Sequence, residues 1–358
     1  MPDFKKEFPV LANYTYLNTA YSGLMREDLV KWRRKCDEDY LLTGSQFRND
    51  HHTFTETIRN EVAGFFNCDP QGVSLVPNFS FAFNTLISGL GTNKKVLLLQ
   101  SDYPSVNEPF QGGGFNLVYA EIDENLEQNI TKAVARHKPD VLALSIVQYI
   151  NGIKVDLSFL KQLKDQYPEL LILADGTQYC GTESFDFADS GIDVLGASGY
   201  KWMLSGYGNG FMLFKKNSIP QLFKNSFPDE QKNGFSEYQI HLMHHFEPGH
   251  LDILNFGSLL YSIRYLNSLG KDKITSQIKN ISIRAKDILS EKGLLETSVQ
   301  NRSDHSSIFN INAGPDCLES LKSKKIICSQ RGKGIRISFH FYNTENDLDT
   351  LLLHLNKR

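Results

Sequence analysis

The sequence predicts an α/β fold: a large domain with a mostly parallel seven-stranded sheet between helices, and a smaller α/β unit near the C-terminus. Three observations predict it. Helical and strand patterns alternate from about residue 60 to 215, the order expected of a sheet covered by helices on both faces. The strand candidates, such as "KVLLL", "VLALSIV" and "ELLILA", are unbroken Leu/Ile/Val runs, as in strands buried on both sides. After residue 258 the strands shorten and alternate with amphipathic helices, which points to a separate small sheet.

The elements follow in order. Residues 26–43 carry Leu29, Trp32, Cys36 and Tyr40 at helical spacing. Residues 53–66 form a second helix ending near Asn67. "GVSLVPN" (72–78) is a short strand, followed by a helix that starts at Asn78 or Ser80 and ends near Gly91. "KVLLLQSDYPS" is a buried strand with its exit loop, and "LVYAEID" is a further strand. A helix over "ENLEQNITKAVARHK" precedes the strand "PDVLALSIVQ", and a helix over "LSFLKQLKDQY" precedes "ELLILADGTQ". "DVLGASGYK" and "NGFMLFKK" complete seven strands. Residues 216–255, with Pro220, Pro228 and Pro248, are expected to be irregular. Residues 258–270 and 273–293 are helices. "SSIFNINA", "IICSQ" and "GIRISFHF" are strands of an antiparallel sheet, with helices over "CLESLKSKK" and "TENDLDTLLLHLNKR".

The chain has 358 residues, 41% of them hydrophobic, with a net charge of −3. Without a basic excess, nucleic acid is not an expected partner. No stretch approaches the roughly 18 apolar residues of a membrane span, and "MPDFKKEFPVL" is not a signal peptide. Five scattered cysteines, none in a CxxC pair, argue against a zinc site or a disulfide framework and for the cytoplasm. No metal is expected: neither "DHH" (50–52) nor "HLMHH" (241–245) has a convincing set of carboxylate or cysteine partners.

Ligands of open α/β sheets sit at the carboxyl ends of the strands. The residues there are Asn78, Phe79 and Ser80; Asp102 and Tyr103; Gln148 and Tyr149; Asp175 and Gln178; Ser198, Tyr200 and Lys201. A lysine in a partly apolar pocket loses proton affinity, and a neutral amine can form a Schiff base with a carbonyl. Pyridoxal 5'-phosphate (PLP) is the carbonyl cofactor that also needs an acid facing its ring nitrogen and a seat for its phosphate. Asp175 can supply the acid. The helix start at Phe79 and Ser80, with the Ser198 hydroxyl, can hold the phosphate. Tyr103 offers a flat face for the ring.

The strings "NFSFAFN", "SDYPS", "ADGTQ", "SGYK" and "RGKGIRISFHFYNTENDL" resemble the class V PLP-dependent enzymes of fold type I: aminotransferases, cysteine desulfurases and isopenicillin N epimerase-like proteins. The resemblance runs from "YLNTAYSGLM" (16–25) to the end. It implies a large domain over 15–257, a small domain from both chain ends (1–14 and 258–358), and a homodimer with active sites at the interface, acting on a small-molecule amino acid or amine. It casts Lys201 as the Schiff-base lysine and Asp175 as the partner of the pyridine nitrogen. Gln178 would lie at the phenolic-oxygen side of the ring. Phe79, Ser80 and Ser198 would hold the phosphate, with His250 reaching a partner's phosphate. Arg336 would bind the substrate α-carboxylate by a bidentate fork.

Two departures stand out. Tyr103 and Tyr200 occupy positions where relatives carry histidine, and a phenol with a pKa of roughly 10 is less suited to proton transfer. Desulfurases carry a nucleophilic cysteine on a long loop, and the nearest candidate, Cys328, lies too close to Arg336 for such a loop. An aminotransferase is therefore the leading expectation, with a lyase, desulfurase or epimerase behind it. A protein that binds PLP or a partner without turnover is the non-enzymatic alternative. Arg331 is expected to be structural.

Overall fold

Seven strands form the central sheet of the computed structural model, which describes residues 4–51, 53–223 and 236–355. In chain order the strands are β1 (Thr15–Tyr16), β2 (Val73–Val76), β3 (Lys95–Leu99), β4 (Asn116–Ala120), β5 (Val141–Ser145), β6 (Leu171–Asp175), β7 (Val194–Ser198), β8 (Gly210–Phe214), β9 (Ile308–Ile311), β10 (Ile326–Ile327), β11 (Ser329–Arg331) and β12 (Gly334–Ser338). The large sheet runs β2-β8-β7-β6-β5-β3-β4. All pairs among β3 to β7 are parallel, and β8 is antiparallel to both its neighbours. Only residues 199–209 separate β7 from β8, too few for a parallel crossover.

Side-chain alternation along the strands builds two apolar layers. Leu97, Leu142, Ile172 and Leu195 belong to one. Val96, Val141, Leu171 and Val194 belong to the other, together with Phe79, Phe83 and Phe110 from covering helices. Every residue of β5 through β8 is buried, whereas β4, at the edge, is partly exposed. The helix Phe79–Ser88 begins at Asn78, whose Oδ1 accepts from the Phe81 amide at 2.8 Å. Gly196 lets this helix lie directly on β7, since a Cβ there would stand 2.5 Å from Met212 and 2.8 Å from the Phe79 ring.

The C-terminal part forms the expected antiparallel sheet, in the order β11-β12-β9. The expected single strand "IICSQ" divides at Cys328. Ile326–Ile327 pairs in parallel with Thr15–Tyr16, and Ser329 onward joins β12. Two helices replace expected irregular chain. Pro104–Gln111 follows β3, starting with proline in its first turn. Glu237–Phe246 is capped by Ser236, whose Oγ accepts from the Gln239 amide at 3.2 Å. The helix expected from residue 258 starts at Ile253, capped by Asp252. Residues 224–235, within the stretch expected to be irregular, and His52 of the "DHH" string lie outside the described residues. His241 and His245 pack against the Phe223 ring. No helix among the described residues is long and apolar enough to cross a membrane.

Candidate active site

The carboxyl ends of β2, β3, β5, β6 and β7 open on one edge of the sheet, and most of the residues singled out above meet there. Lys201 follows β7 and is buried. Its backbone carbonyl is covered by Gly23, where a Cβ would come within 1.9 Å of it. The Gly23 amide donates to the Tyr200 carbonyl at 2.8 Å, which pins the N-terminal segment onto this turn. Lys201 Nζ lies 5.8 Å from the centre of the Tyr103 ring and 5.5 Å from that of Tyr200. Burial lowers its proton affinity to about 8; the Asp175 charge opposes this, and Arg336 and Arg331 add to it.

Asp175 ends β6 and is also buried. Burial raises its carboxyl to about 6, against the hydrogen bonds of Thr177 and the charge of Lys201. The Thr177 amide donates to Asp175 Oδ1 at 2.8 Å. Thr177 Oγ1 accepts from the Ser198 amide at 3.1 Å, tying the ends of β6 and β7 together. Ser198 Oγ accepts from the Phe79 amide at 2.9 Å, so it sits at the positive end of the helix Phe79–Ser88. Ser80 Oγ meets Ser105 Oγ at 2.7 Å, which brings the start of Pro104–Gln111 beside it.

A cavity of about 520 Å³ opens over this edge, lined by Ala20, Tyr21, Tyr103, Pro104, Tyr149, Gln178, Tyr200, Lys201, Tyr207, Arg331 and Arg336. Tyr103 packs edge-on against Tyr149 at 5.2 Å, and Tyr200 stacks on Tyr207 at 4.8 Å. Burial holds the Tyr200 phenol well above its ordinary value. Gln178 is held at both ends: Nε2 donates to the Ala20 carbonyl at 2.9 Å, and Oε1 accepts from Trp202 Nε1 at 2.8 Å. One N–H of its amide remains for a ligand.

Arg336 is buried; its Nη1 donates to the Tyr149 carbonyl at 2.5 Å, and its Nε has no partner among the described residues. Burial, followed by the charge of Arg331, lowers its pKa to about 10. A buried guanidinium with an open side is costly unless an anion meets it. The residues thus fit PLP: a lysine of reduced proton affinity, a buried acid, hydroxyls at a helix start and an open guanidinium.

Three placements differ from or add to the sequence reading. Arg331, expected to be structural, lines the cavity. Asp102, given no role, is buried beside the site, and burial raises its pKa. It accepts from the Tyr103 amide at 2.6 Å, the Ser145 amide at 2.8 Å and Gln148 Nε2 at 2.8 Å, fixing the turn that carries Tyr103. An acid directly after an apolar strand was the available signal. His250 is exposed and lines a different cavity, of about 840 Å³, with Cys36, Tyr40 and Arg59. Within one chain it does not join Lys201.

No cysteine lines the Lys201 cavity. Cys328 is buried, and its thiol is pushed up to about 12 by burial. Cys180, next to Asp175, is likewise buried and raised.

The lysine yields a first prediction. Competitive acetylation of the cofactor-free chain across pH, read at the Lys201 peptide, should show a midpoint near 8. Ordinary lysines should titrate near 10.4. A Lys201 midpoint above 10 would mean that the amine is not desolvated.

Comparison with known proteins adds the following. The sequence matches the family model "Aminotransferase class-V" over residues 41–351. It is 24% identical over 351 residues to the uncharacterized aminotransferase YcbU of Bacillus subtilis, covering 96% of this chain and 94% of that one. It is 23% identical over 387 residues to a probable cysteine desulfurase of Ureaplasma parvum, covering 98% and 96%. In fold it is similar to the apo cysteine desulfurase of Thermococcus onnurineus, with a TM-score of 0.83, 18% identity and coverage of 99% and 97%. It is also similar to the cystine C-S lyase C-DES bound to its product cysteine persulfide, with a TM-score of 0.81, 18% identity and coverage of 98% and 99%.

Proposed function

The chain belongs to the class V aminotransferase family, and from that premise we propose that it is a PLP-dependent aminotransferase acting on an amino acid or amine. The observation that carries the reading is Lys201: a buried amine of lowered proton affinity that feels the charges of Asp175 and Arg336, in a cavity that no thiol among the described residues lines.

When bound, PLP supplies a carbonyl that captures amines and a ring that draws electrons from the substrate Cα. The chain does the rest. Ser198, Ser80 and the Ser80 amide would hold the phosphate at the helix start, with the Phe79 amide fixing the Ser198 hydroxyl there. Asp175 would hold the ring nitrogen in its protonated form by its carboxylate. Tyr103 and Tyr200 bound the ring, and the free N–H of Gln178 serves its phenolic oxygen. Arg336 turns its open side to the α-carboxylate. Lys201 would anchor the cofactor through Nζ, and its free amine would take the proton from the substrate Cα. It is the one lysine among the residues lining the cavity.

C–S bond cleavage is the second reading, because several relatives bear the names of desulfurases and one similar structure is a C-S lyase. Desulfuration through a protein thiol is disfavoured by the buried, raised Cys328. A lyase releasing a small persulfide needs no such thiol, and an epimerase would use the same residues.

The chain is further read as a cytoplasmic homodimer with large domain 15–257 and a small domain from both chain ends. Tyr40, Leu41 and Leu42 on the helix Glu27–Thr43 are 60%, 83% and 80% exposed, apolar surface suited to an interface. The cavity of His250, Cys36 and Tyr40 adjoins it. Five scattered cysteines with no CxxC pair suit a reducing compartment.

The test is a screen of amino donors against the PLP-loaded protein, following the cofactor spectrum, the keto product, sulfide and the stereochemistry of recovered donor. Keto acid with retained amino group on the cofactor supports aminotransfer. Sulfide or racemised donor without it would replace that reading. Arg336→Ala should raise KM for carboxylate donors by about 10-fold or more and change KM for simple amines far less. Equal losses would remove Arg336 from carboxylate binding.

A further inference from the structure

Two guanidiniums, rather than one, face the cavity of Lys201. Arg331 lies on β11 and Arg336 on β12. In the register of these strands Ser329 pairs with Arg336, and Arg331 pairs with Gly334. Directly paired residues share a face, and so do residues two apart on a strand. Arg331 and Arg336 therefore project from the same face, as diagonal neighbours about 7–8 Å apart along the ladder. Both line the cavity, and their charges press on each other and on Lys201.

Neither arginine forms an ion pair with a carboxylate among the described residues. Arg331 is half-buried, lies over the Tyr21 ring at 5.1 Å, and among the described residues its guanidinium donates only to its neighbour's carbonyl, Gln330 O, at 3.3 Å. The ring fixes the guanidinium without neutralising it. An α-carboxylate at Arg336 balances one of the two charges and leaves the other facing the same space.

We propose that the cavity selects a substrate with a second carboxylate, an acidic amino acid or its 2-oxo acid, with Arg336 holding the α-carboxylate and Arg331 the distal one. This rests on the reading of the cavity as an amino-acid site. It goes further by assigning the side-chain class and by giving Arg331 the deciding role. Tyr21 is then a positioning residue acting through Arg331.

The experiment uses dead-end ligands, so that it does not depend on turnover. Glutarate and butyrate are titrated into the PLP-loaded protein by calorimetry, for the wild type and for Arg331→Gln. The expected result is that glutarate binds about 10-fold or more tightly than butyrate, and that Arg331→Gln removes most of that preference. Equal affinity for the two acids, or a preference that survives Arg331→Gln, overturns the proposal. Arg331→Lys, which keeps the charge and loses the fork, should retain part of the preference. The donor screen separates the two failures. Neutral amino acids converted faster than acidic ones, with no glutarate preference, sink the acidic-substrate assignment alone. No conversion of any donor, with glutarate still preferred, sinks the aminotransferase reading alone.

Discussion

Lys201→Ala should lower turnover of the best donor by roughly 10³-fold or more, because one amine performs two tasks. It is the nucleophile that anchors PLP and the base that takes the Cα proton. Both tasks need the unprotonated form, and burial beside two arginines supplies it near neutral pH. Alanine does not offer another amine, and among the described residues no second lysine lines the cavity. The fold should survive. The side chain borders open space rather than the packed layers, and a buried cation at reduced proton affinity contributes little to stability. Steady-state kinetics with a thermal melt check this. Turnover within tenfold of the wild type, in a folded protein, would remove Lys201 from the chemistry.

Asp175→Asn should lower turnover by about 10²–10³-fold, the loss typical of a preorganised charge at a reacting centre, and yet raise thermal stability at alkaline pH. Burial lifts this carboxyl from its ordinary value to about 6, so the folded chain holds the proton more tightly than the unfolded chain does. The associated stability is present below the ordinary carboxylate pKa and is lost as pH rises through about 6. Asparagine loses no proton and keeps Oδ1 for the Thr177 amide, which now bonds Asp175 at 2.8 Å. The melting difference in cofactor-free protein should therefore be small at pH 4 and favour the variant at pH 9, where Lys201 is largely neutral. A variant less stable at pH 9 would show that the Asp175 charge is favourably held, and that its burial is not a functional cost.

The sheet was legible because its strands are apolar on both faces. Runs such as Leu171–Asp175 and Val194–Ser198 admit few other readings. Short amphipathic helices were less legible. Pro104–Gln111 carries Pro109 inside it, and proline reads as a breaker. Glu237–Phe246 lies in a polar, proline-rich stretch, although Ser236 followed by Gln239 is a capping-box pattern that marks its start. The division of "IICSQ" between two sheets depends on Thr15–Tyr16, more than 300 residues away, and local pattern does not carry such pairing.

At the site, Lys201, Asp175, Ser198, Tyr103 and Arg336 could be singled out because each stands at the end of an apolar strand or inside one. Arg331 could not. It belongs to the cavity only through its register opposite Gly334 and its place over Tyr21. Asp102 acts through backbone amides of other segments, and its contact with the Ser145 amide exists only once β3 and β5 are neighbours. His250 stands apart in the single chain, so a role at the cofactor depends on the proposed dimer.

The central claim is that Lys201 carries PLP. The direct measurement is a visible spectrum of the purified protein with added PLP, before and after borohydride reduction, with the labelled peptide identified by mass. The expected result is a long-wavelength band that disappears on reduction, leaving a pyridoxyl mass on Lys201. A folded protein that shows no band, or one that carries the label on another lysine, would contradict it.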